Sequence, residues 1–268
     1  MKAGEPIAGS TKHQTSRSGH GPSFLRWAGS KRKSLATLAV GYKDPELEYI
    51  EPFAGSAALF FSLAPRQGVL SDLNGHLVNA LRNVRDHPHA LHNELIKIDR
   101  NPTSYYEARE EFNSLPRVGL RSAVLFVYLN RNCFNGLWRT NLAGRFNVQF
   151  GGHEMGAYPP IELFLKCSAL LKPISIRHQD FRKTLKLAGR RSYIYADPPY
   201  FSANDRVFIE YGRRSFSQTD LDDLIAYLKA AEERGARIAL TYDAATELPQ
   251  TPTHWRQTKF EVTRNVGG

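Results

Sequence analysis

One carboxylate, two prolines and one aromatic ring stand together at Asp197-Pro198-Pro199-Tyr200, directly after the apolar run Tyr193-Ile194-Tyr195-Ala196. The run reads as a buried strand. Pro199 restricts Pro198, and Pro198 biases Asp197 towards an extended conformation. The stiff turn that results lacks two backbone N–H groups, so it offers acceptors and few hydrogen-bond donors. A phosphate finds no cradle there. An amino group, which must donate, finds partners, and Tyr200 supplies a face on which a planar ring can stack. A strand ending in such a turn belongs at the carboxyl edge of an α/β sheet, where ligands bind. The alternative reading of this stretch, taken alone, is a proline-stopped strand with a core tyrosine.

A second group of residues has the spacing of a nucleotide site. Glu48 to Pro52 reads as a strand, Phe53-Ala54-Gly55-Ser56-Ala57 as a tight turn, and Ala58 to Leu63 as the helix after it. With one glycine in the turn it is not the dinucleotide fingerprint, and with no Gly-Lys-Ser/Thr it is not a P-loop. Gly68 to Asp72 reads as the next strand. Asp72 lies seventeen residues beyond Gly55, near the spacing at which an acid meets ribose hydroxyls. Asp72 equally suits the N-cap of a helix from Asn74 to Asp86. Upstream, Trp27 and Lys31 flank a Gly-containing turn. There the ring could pack on an adenine while the lysine meets a carboxylate, or the pair could be a surface tryptophan at a basic helix start. Ser30 suits the N-cap of a helix running to about Val40.

A third group is cationic. From Asn130 to Val148 the chain carries Arg131, Arg139 and Arg145 among asparagines, with Phe134 and Trp138 between them. Asn135-Gly136 and Ala143-Gly144 are turn signals, so the stretch reads as a β-hairpin. Arginine and asparagine are the side chains that read guanine and adenine edges. A solvated polar hairpin is the alternative; the interleaved aromatics favour nucleic acid.

The elements that must position these groups follow from the pattern of the chain. Its 268 residues, 41% of them hydrophobic, allow one large globular unit with an insertion, and a net charge of +10 suggests a polyanionic partner. Residues 1–22 read as a flexible basic tail without the apolar run of a signal peptide or membrane span. The two cysteines, Cys133 and Cys167, read as reduced thiols. No histidine pair has metal-ligand spacing, so no metal is expected. Helices are predicted over 77–85, 90–98, 103–112 and 120–130, punctuated by Pro88, Pro102 and Pro116. Strands follow over 174–178 and 236–242, with a helix from Ser217 to Arg234 between them and a further strand starting near Thr258. Residues 201–216 read as a loop near the site.

In order along the chain, Phe24-Leu25-Arg26-Trp27-Ala28-Gly29-Ser30-Lys31, Glu51-Pro52-Phe53-Ala54-Gly55, Ser71-Asp72-Leu73-Asn74, Tyr128 to Arg139, Gly144 to Val148 and Asp197-Pro198-Pro199-Tyr200 resemble the Dam-type (D12 class, alpha group) DNA adenine-N6 methyltransferases. The resemblance implies an α/β fold: a Rossmann-like methyltransferase sheet with an inserted, mainly helical DNA-recognition domain carrying a β-hairpin. The catalytic domain would comprise residues 23–75 and 173–268, and the target-recognition domain residues 76–172. S-adenosyl-L-methionine would be the methyl donor, and Trp27, Lys31, Phe53, Gly55, Asp72, Asp180 and Asp197 would hold it. Asp197, the Pro198 carbonyl and Tyr200 would hold the target adenine. Phe134, Asn135, Leu137 and Arg139 would read the DNA, with Arg26, Arg131, Asn132 and Arg145 as further DNA contacts. The partner would be double-stranded DNA, bound by a cytoplasmic, nucleoid-associated monomer, with a dimer on DNA as the alternative. The activity expected is site-specific adenine methylation in duplex DNA, as in restriction-modification; a catalytically impaired DNA-binding protein on the same scaffold is the competing expectation. Three departures stand out. Ala57 replaces a second glycine and is expected to tighten the cofactor pocket. Gln149 replaces a proline and leaves the target sequence open. Family members continue past the position of Gly268, so a shortened sheet is expected.

Overall fold

The computed structural model describes residues 23–27, 35–199, 216–242, 248 and 251–259. Tyr200, Lys31 and Ser30, expected at the site, lie outside the described residues, as do residues 1–22 and most of the loop 201–216. Five strands form one parallel sheet: β1 (Glu48–Glu51), β2 (Gly68–Asp72), β3 (Ile174–His178), β4 (Ser192–Ala196) and β5 (Arg237–Leu240), in the order β3-β2-β1-β4-β5. The chain builds outwards from β1 through β2 to β3, then returns to the other side of β1 for β4 and β5. The order therefore reverses between β1 and β4, and a parallel sheet opens a ligand crevice at that point, beyond the carboxyl ends of its strands. Tyr49 pairs with Gly68 on one side and with Tyr193 on the other. That register brings the exits of β1, β2 and β4 to one level.

The strands are short and apolar because both faces of the sheet are covered. All five residues of β4 are buried. One face carries Ile50, Ile194 and Ala196 against Leu224 and Leu228 of α9 (Gln218–Glu233) and Phe181 and Leu185 of α8 (Phe181–Leu185). The opposite face carries Tyr49, Leu70, Tyr193 and Tyr195 into the larger core, together with α1 (Leu35–Ala39) and α2 (Ala58–Leu63).

Between β2 and β3 the chain runs through α3 (Gly75–Asp86), α4 (Pro88–Leu95), α5 (Pro102–Ser114), α6 (Leu120–Asn132) and α7 (Ile161–Leu171). Asn74 caps α3 by accepting from the His76 and Leu77 N–H groups. α6 is buried along nearly its whole length from Ser122 to Asn132, so it is the centre of this helical layer. α7, which the sequence reading leaves unassigned, packs on α3 and α4 and delivers the chain to β3. The division expected between residues 75 and 76 falls at the first turn of α3, and α3 touches β2 and β3 as well as α6 and α7.

After α6 the chain forms an antiparallel hairpin with only two isolated bridges, Cys133 to Phe150 and Thr140 to Phe146. Its tip is Asn141 to Arg145: the Asn141 N–H donates to the Arg145 carbonyl (2.9 Å), and Gly144 takes a φ of +78°. The Asn135-Gly136 pair is not the tip. It forms a single 3-10 turn at the exit of α6, with φ of +51° and +65°. Beyond β5, the described residues 258 and 259 are not in a strand. Among the described residues, no helix is long and apolar enough to cross a membrane, and no group of three His, Cys, Asp or Glu side chains could hold a metal ion.

Candidate active site

The turn after β1 is held by β2. The Ala54 N–H donates to the Ser71 carbonyl (2.9 Å), and the Gly55 N–H donates to Asp72 Oδ2 (3.1 Å). Asp72 Oδ1 accepts from the Asn74 N–H at 2.8 Å. Asp72 is thus not the cap of α3; Asn74 is, and the Asp72 carboxylate is fixed between two backbone N–H groups at the end of β2. Desolvation pushes its pKa up, while the N–H groups of Asn74 and Gly55 pull the other way. Gly55 has a φ of +47°, and a Cβ there would lie 3.0 Å from Trp27 Nε1. The indole therefore lies directly against the turn, and a side chain at position 55 would crowd it. Ala57 takes a φ of +51° where the resemblance expects glycine, and its methyl group is fully buried.

Asp197 leaves β4 next to this turn. Its Oδ1 accepts from the Thr241 hydroxyl at 2.5 Å. Thr241 is itself placed by its N–H, which donates to the Ala196 carbonyl (2.9 Å) just beyond β5. Pro198 is buried behind Asp197. Between Asp197 and Asp72 lies Glu51, the last residue of β1, only 3% exposed. Burial drives its pKa well above the carboxylate range, and the charges of Asp197 and Asp72 act in the same direction. The Tyr49 hydroxyl, which donates to Glu51 Oε2 at 3.0 Å, opposes them. Burial and its two acidic neighbours thus disfavour the charged form of Glu51.

Asp180 stands at the exit of β3 as the cap of α8, and Arg182 engages its carboxylate (3.0 Å). The same guanidinium reaches Asp220 (2.6 Å) and Asp223 (2.7 Å) at the start of α9. Phe53 packs on Phe181 (5.3 Å) and on Phe216 (6.0 Å), where the chain re-enters the described structure before α9. Sequence reasoning missed Glu51, Thr184, Arg182 and Thr241. Thr184 shares a 2.6 Å hydrogen bond with Ser71 under the turn. No local signal marks these partners, although Glu51 sits in a stretch already singled out.

The residues expected at DNA divide. Arg145 is exposed at the hairpin tip and pairs with Glu110 (2.7 Å). Arg139 is half-buried and donates to the Asn147 side-chain oxygen (2.9 Å) and carbonyl (3.2 Å). Phe134, Asn135 and Leu137 surround the 3-10 turn, all half-buried. Arg26 donates to the Glu154 carbonyl at 2.7 Å. The Arg131 carbonyl accepts from the Gly156 N–H (2.8 Å). Asn132 is fully buried: it accepts from Arg100 (2.8 Å) and donates to the Tyr128 carbonyl (2.7 Å). Its side chain braces the base of the hairpin from inside.

A five-stranded parallel sheet with carboxylates gathered at its reversal point has the architecture of a Rossmann-like methyltransferase. The family model of D12 class N6 adenine-specific DNA methyltransferases matches residues 27–262, and the chain belongs to that family. It is 30% identical to the type II methyltransferase M1.LlaDCHI of Lactococcus lactis subsp. cremoris, over 91% of this chain and 89% of that protein. It is 32% identical to a DNA adenine methylase of Serratia marcescens, over 84% of each. Against the DNA N-6-adenine-methyltransferase of Escherichia phage P1 the identity is 30%, over 84% of this chain but only 30% of that protein. The chain is an adenine-specific DNA methyltransferase, and S-adenosylmethionine is its methyl donor.

Proposed function

We propose that the chain methylates the N6 amino group of adenine at a specific site in double-stranded DNA, acting as a monomer on a base drawn out of the helix. The observation that carries this reading is the placement of Asp197: it ends the strand beside β1, held by Thr241, across the reversal point from the Gly55–Asp72 turn.

The amino nitrogen of adenine is a poor nucleophile because its lone pair is delocalised into the ring. Asp197 and the Pro198 carbonyl accept its two N–H groups and favour a pyramidal nitrogen. Tyr200 stacks on the extruded base and offsets part of the few kcal/mol that extrusion costs. The bound methyl donor supplies an electrophilic methyl group on a sulfonium. Trp27 over Gly55 would offer its adenine a flat face, Asp72 would accept from its ribose hydroxyls, and Phe53 and Asp180 would line the pocket, with Lys31, outside the described residues, as a further expected contact. The carboxyl-lined crevice suits a cationic sulfonium, and burial, which disfavours the charged form of Glu51, limits the repulsion there. Holding two reactants in register can supply about 7–11 kcal/mol of the barrier. Phe134, Asn135, Leu137 and Arg139 read the site, while Arg26, Arg131 and Arg145 contribute positive charge.

Transfer of a labelled methyl group to duplex DNA, followed by digestion and identification of the modified base, tests the reading. N6-methyladenine at one sequence motif is the expected product. Label in cytosine, or none at all from protein that binds S-adenosylmethionine, overturns it.

A further inference from the structure

The short segment 23–27 touches both the cofactor turn and the recognition turn. At its start the Ser23 hydroxyl donates to the Ser56 carbonyl (3.4 Å), and Phe24 and Leu25 are fully buried beside it. At its end Trp27 covers Gly55. In between, the Arg26 backbone is gripped from α6. The Arg26 N–H donates to Asn130 Oδ1 (2.9 Å), and the Arg26 carbonyl accepts from Asn130 Nδ2 (2.5 Å). The side-chain amide thus replaces a neighbouring strand. The same Nδ2 lies 3.4 Å from the Gly136 carbonyl, in the turn that follows Asn135. Gly136 also abuts the segment directly, since a Cβ there would lie 2.5 Å from the Arg26 Cβ.

We propose that Asn130 is a positioning residue that couples occupancy of the cofactor pocket to the geometry of the DNA-reading turn. The proposal rests on the function proposed above, which places the methyl donor at Trp27 and DNA at Asn135 and Leu137. Asn130 is 4% exposed, so it touches neither ligand. Both ends of its amide hold the Arg26 backbone, and the Nδ2 end also faces the Gly136 carbonyl, so one buried side chain joins the two stretches. A shift of residues 26–27 that accommodates the methyl donor must move the turn at 135–136 or break a buried hydrogen bond. The coupling is reciprocal: DNA that orders the turn also orders the segment carrying Trp27.

The test uses S-adenosylhomocysteine as an unreactive probe. In the wild-type chain it is expected to raise affinity for the methylated site's duplex about fivefold or more. Without DNA, it is expected to slow amide exchange at residues 134–137. Asn130→Asp keeps the acceptor for the Arg26 N–H and loses both donations. In that variant the probe is expected to bind about as before, while the enhancement of DNA affinity falls below about twofold. A variant that binds both ligands with the enhancement intact overturns the proposal, as does unchanged wild-type exchange at 134–137 with the probe bound. Should Asn130→Asp not fold, the wild-type exchange result decides alone. Coupling without methyl transfer to adenine would sink the proposed function and leave this inference standing; transfer without coupling would do the reverse.

Discussion

Three carboxyls meet at the carboxyl edge of the sheet, and Glu51 is the most deeply buried of them. Glu51 has a folded pKa raised well above its ordinary value, mainly by desolvation. Such a group contributes stability that is fully present below its unfolded pKa and lost as pH rises through the folded one. In the ligand-free protein, the wild-type melting temperature is therefore expected to fall relative to that of Glu51→Gln as pH rises from about 5 to 9. Gln retains an oxygen to accept from the Tyr49 hydroxyl, so the two should melt alike at the acidic end. Parallel curves across that range would show that Glu51 is already ionised. In the proposed reaction Asp197 has a different part, as the acceptor the amino group needs. Asp197→Asn leaves an oxygen for the Thr241 hydroxyl but presents an NH2 group as well. We expect kcat to drop about 10²–10³-fold, the loss typical of removing one oriented electrostatic partner, with little change in melting temperature. Single-turnover methyl transfer measures it, and a drop below tenfold would remove Asp197 from the catalytic role.

Among the elements, the join between α8 and α9 holds the loop between β4 and α9 at its far end. Arg182 is the fastener, reaching Asp180, Asp220 and Asp223 while stacking over Phe181 at 4.4 Å. Asp220 is almost buried and also accepts from Ser217 in the capping box of α9. Arg182→Ala should cost about 1–3 kcal/mol, less than breaking a fully buried pair, because Asp223 is 43% exposed. Arg182→Lys should recover only part of it, since an ammonium cannot fork among three carboxylates. Urea unfolding at constant slope measures both, and full recovery by lysine would contradict the argument. The strands and the turn after β1 were legible in the sequence because apolar runs ending in Pro, Gly and Asp are local signals. α7 was not: it follows Pro159-Pro160 without a capping side chain, and no boundary signal announces it. Two turn signals, Asn135-Gly136 and Ala143-Gly144, left the place of the hairpin tip open, and Asn135-Gly136 is not it. Its positive-φ geometry is spent on leaving α6 against Arg26, and no local pattern reveals that neighbour. Thr241 on Asp197, Thr184 on Ser71 and Asn130 on Arg26 are separated by 44, 113 and 104 residues. Only the folded sheet brings them together.

At the scale of the whole molecule, a net charge of +10 has to be reconciled with carboxylates at the catalytic edge. The inserted layer carries the arginine-rich hairpin and braces it on α5. Asn113 exchanges two hydrogen bonds with the Phe146 backbone (2.7 and 3.0 Å), and the Tyr105 hydroxyl donates to the Val148 carbonyl (2.9 Å). A hairpin with so few bridges of its own keeps its shape through these contacts, so its two exposed and half-buried arginines need not act alike. Among the described residues the Arg145 side chain pairs with the exposed Glu110, a contact that is worth little and is easily exchanged for a phosphate. Arg139 is oriented by two hydrogen bonds to Asn147, a geometry suited to a base edge. Arg145→Ala should therefore weaken binding to all duplexes alike and reduce the slope of log affinity against log salt by about one. Arg139→Ala should instead lose about 1–3 kcal/mol of discrimination at one base pair of the site. Titrating the site's duplex and single-base-pair variants of it at several salt concentrations separates the two. If Arg139→Ala lowers affinity uniformly and leaves every variant equally disfavoured, the hairpin reads sequence through other side chains and Arg139 serves only to shape it.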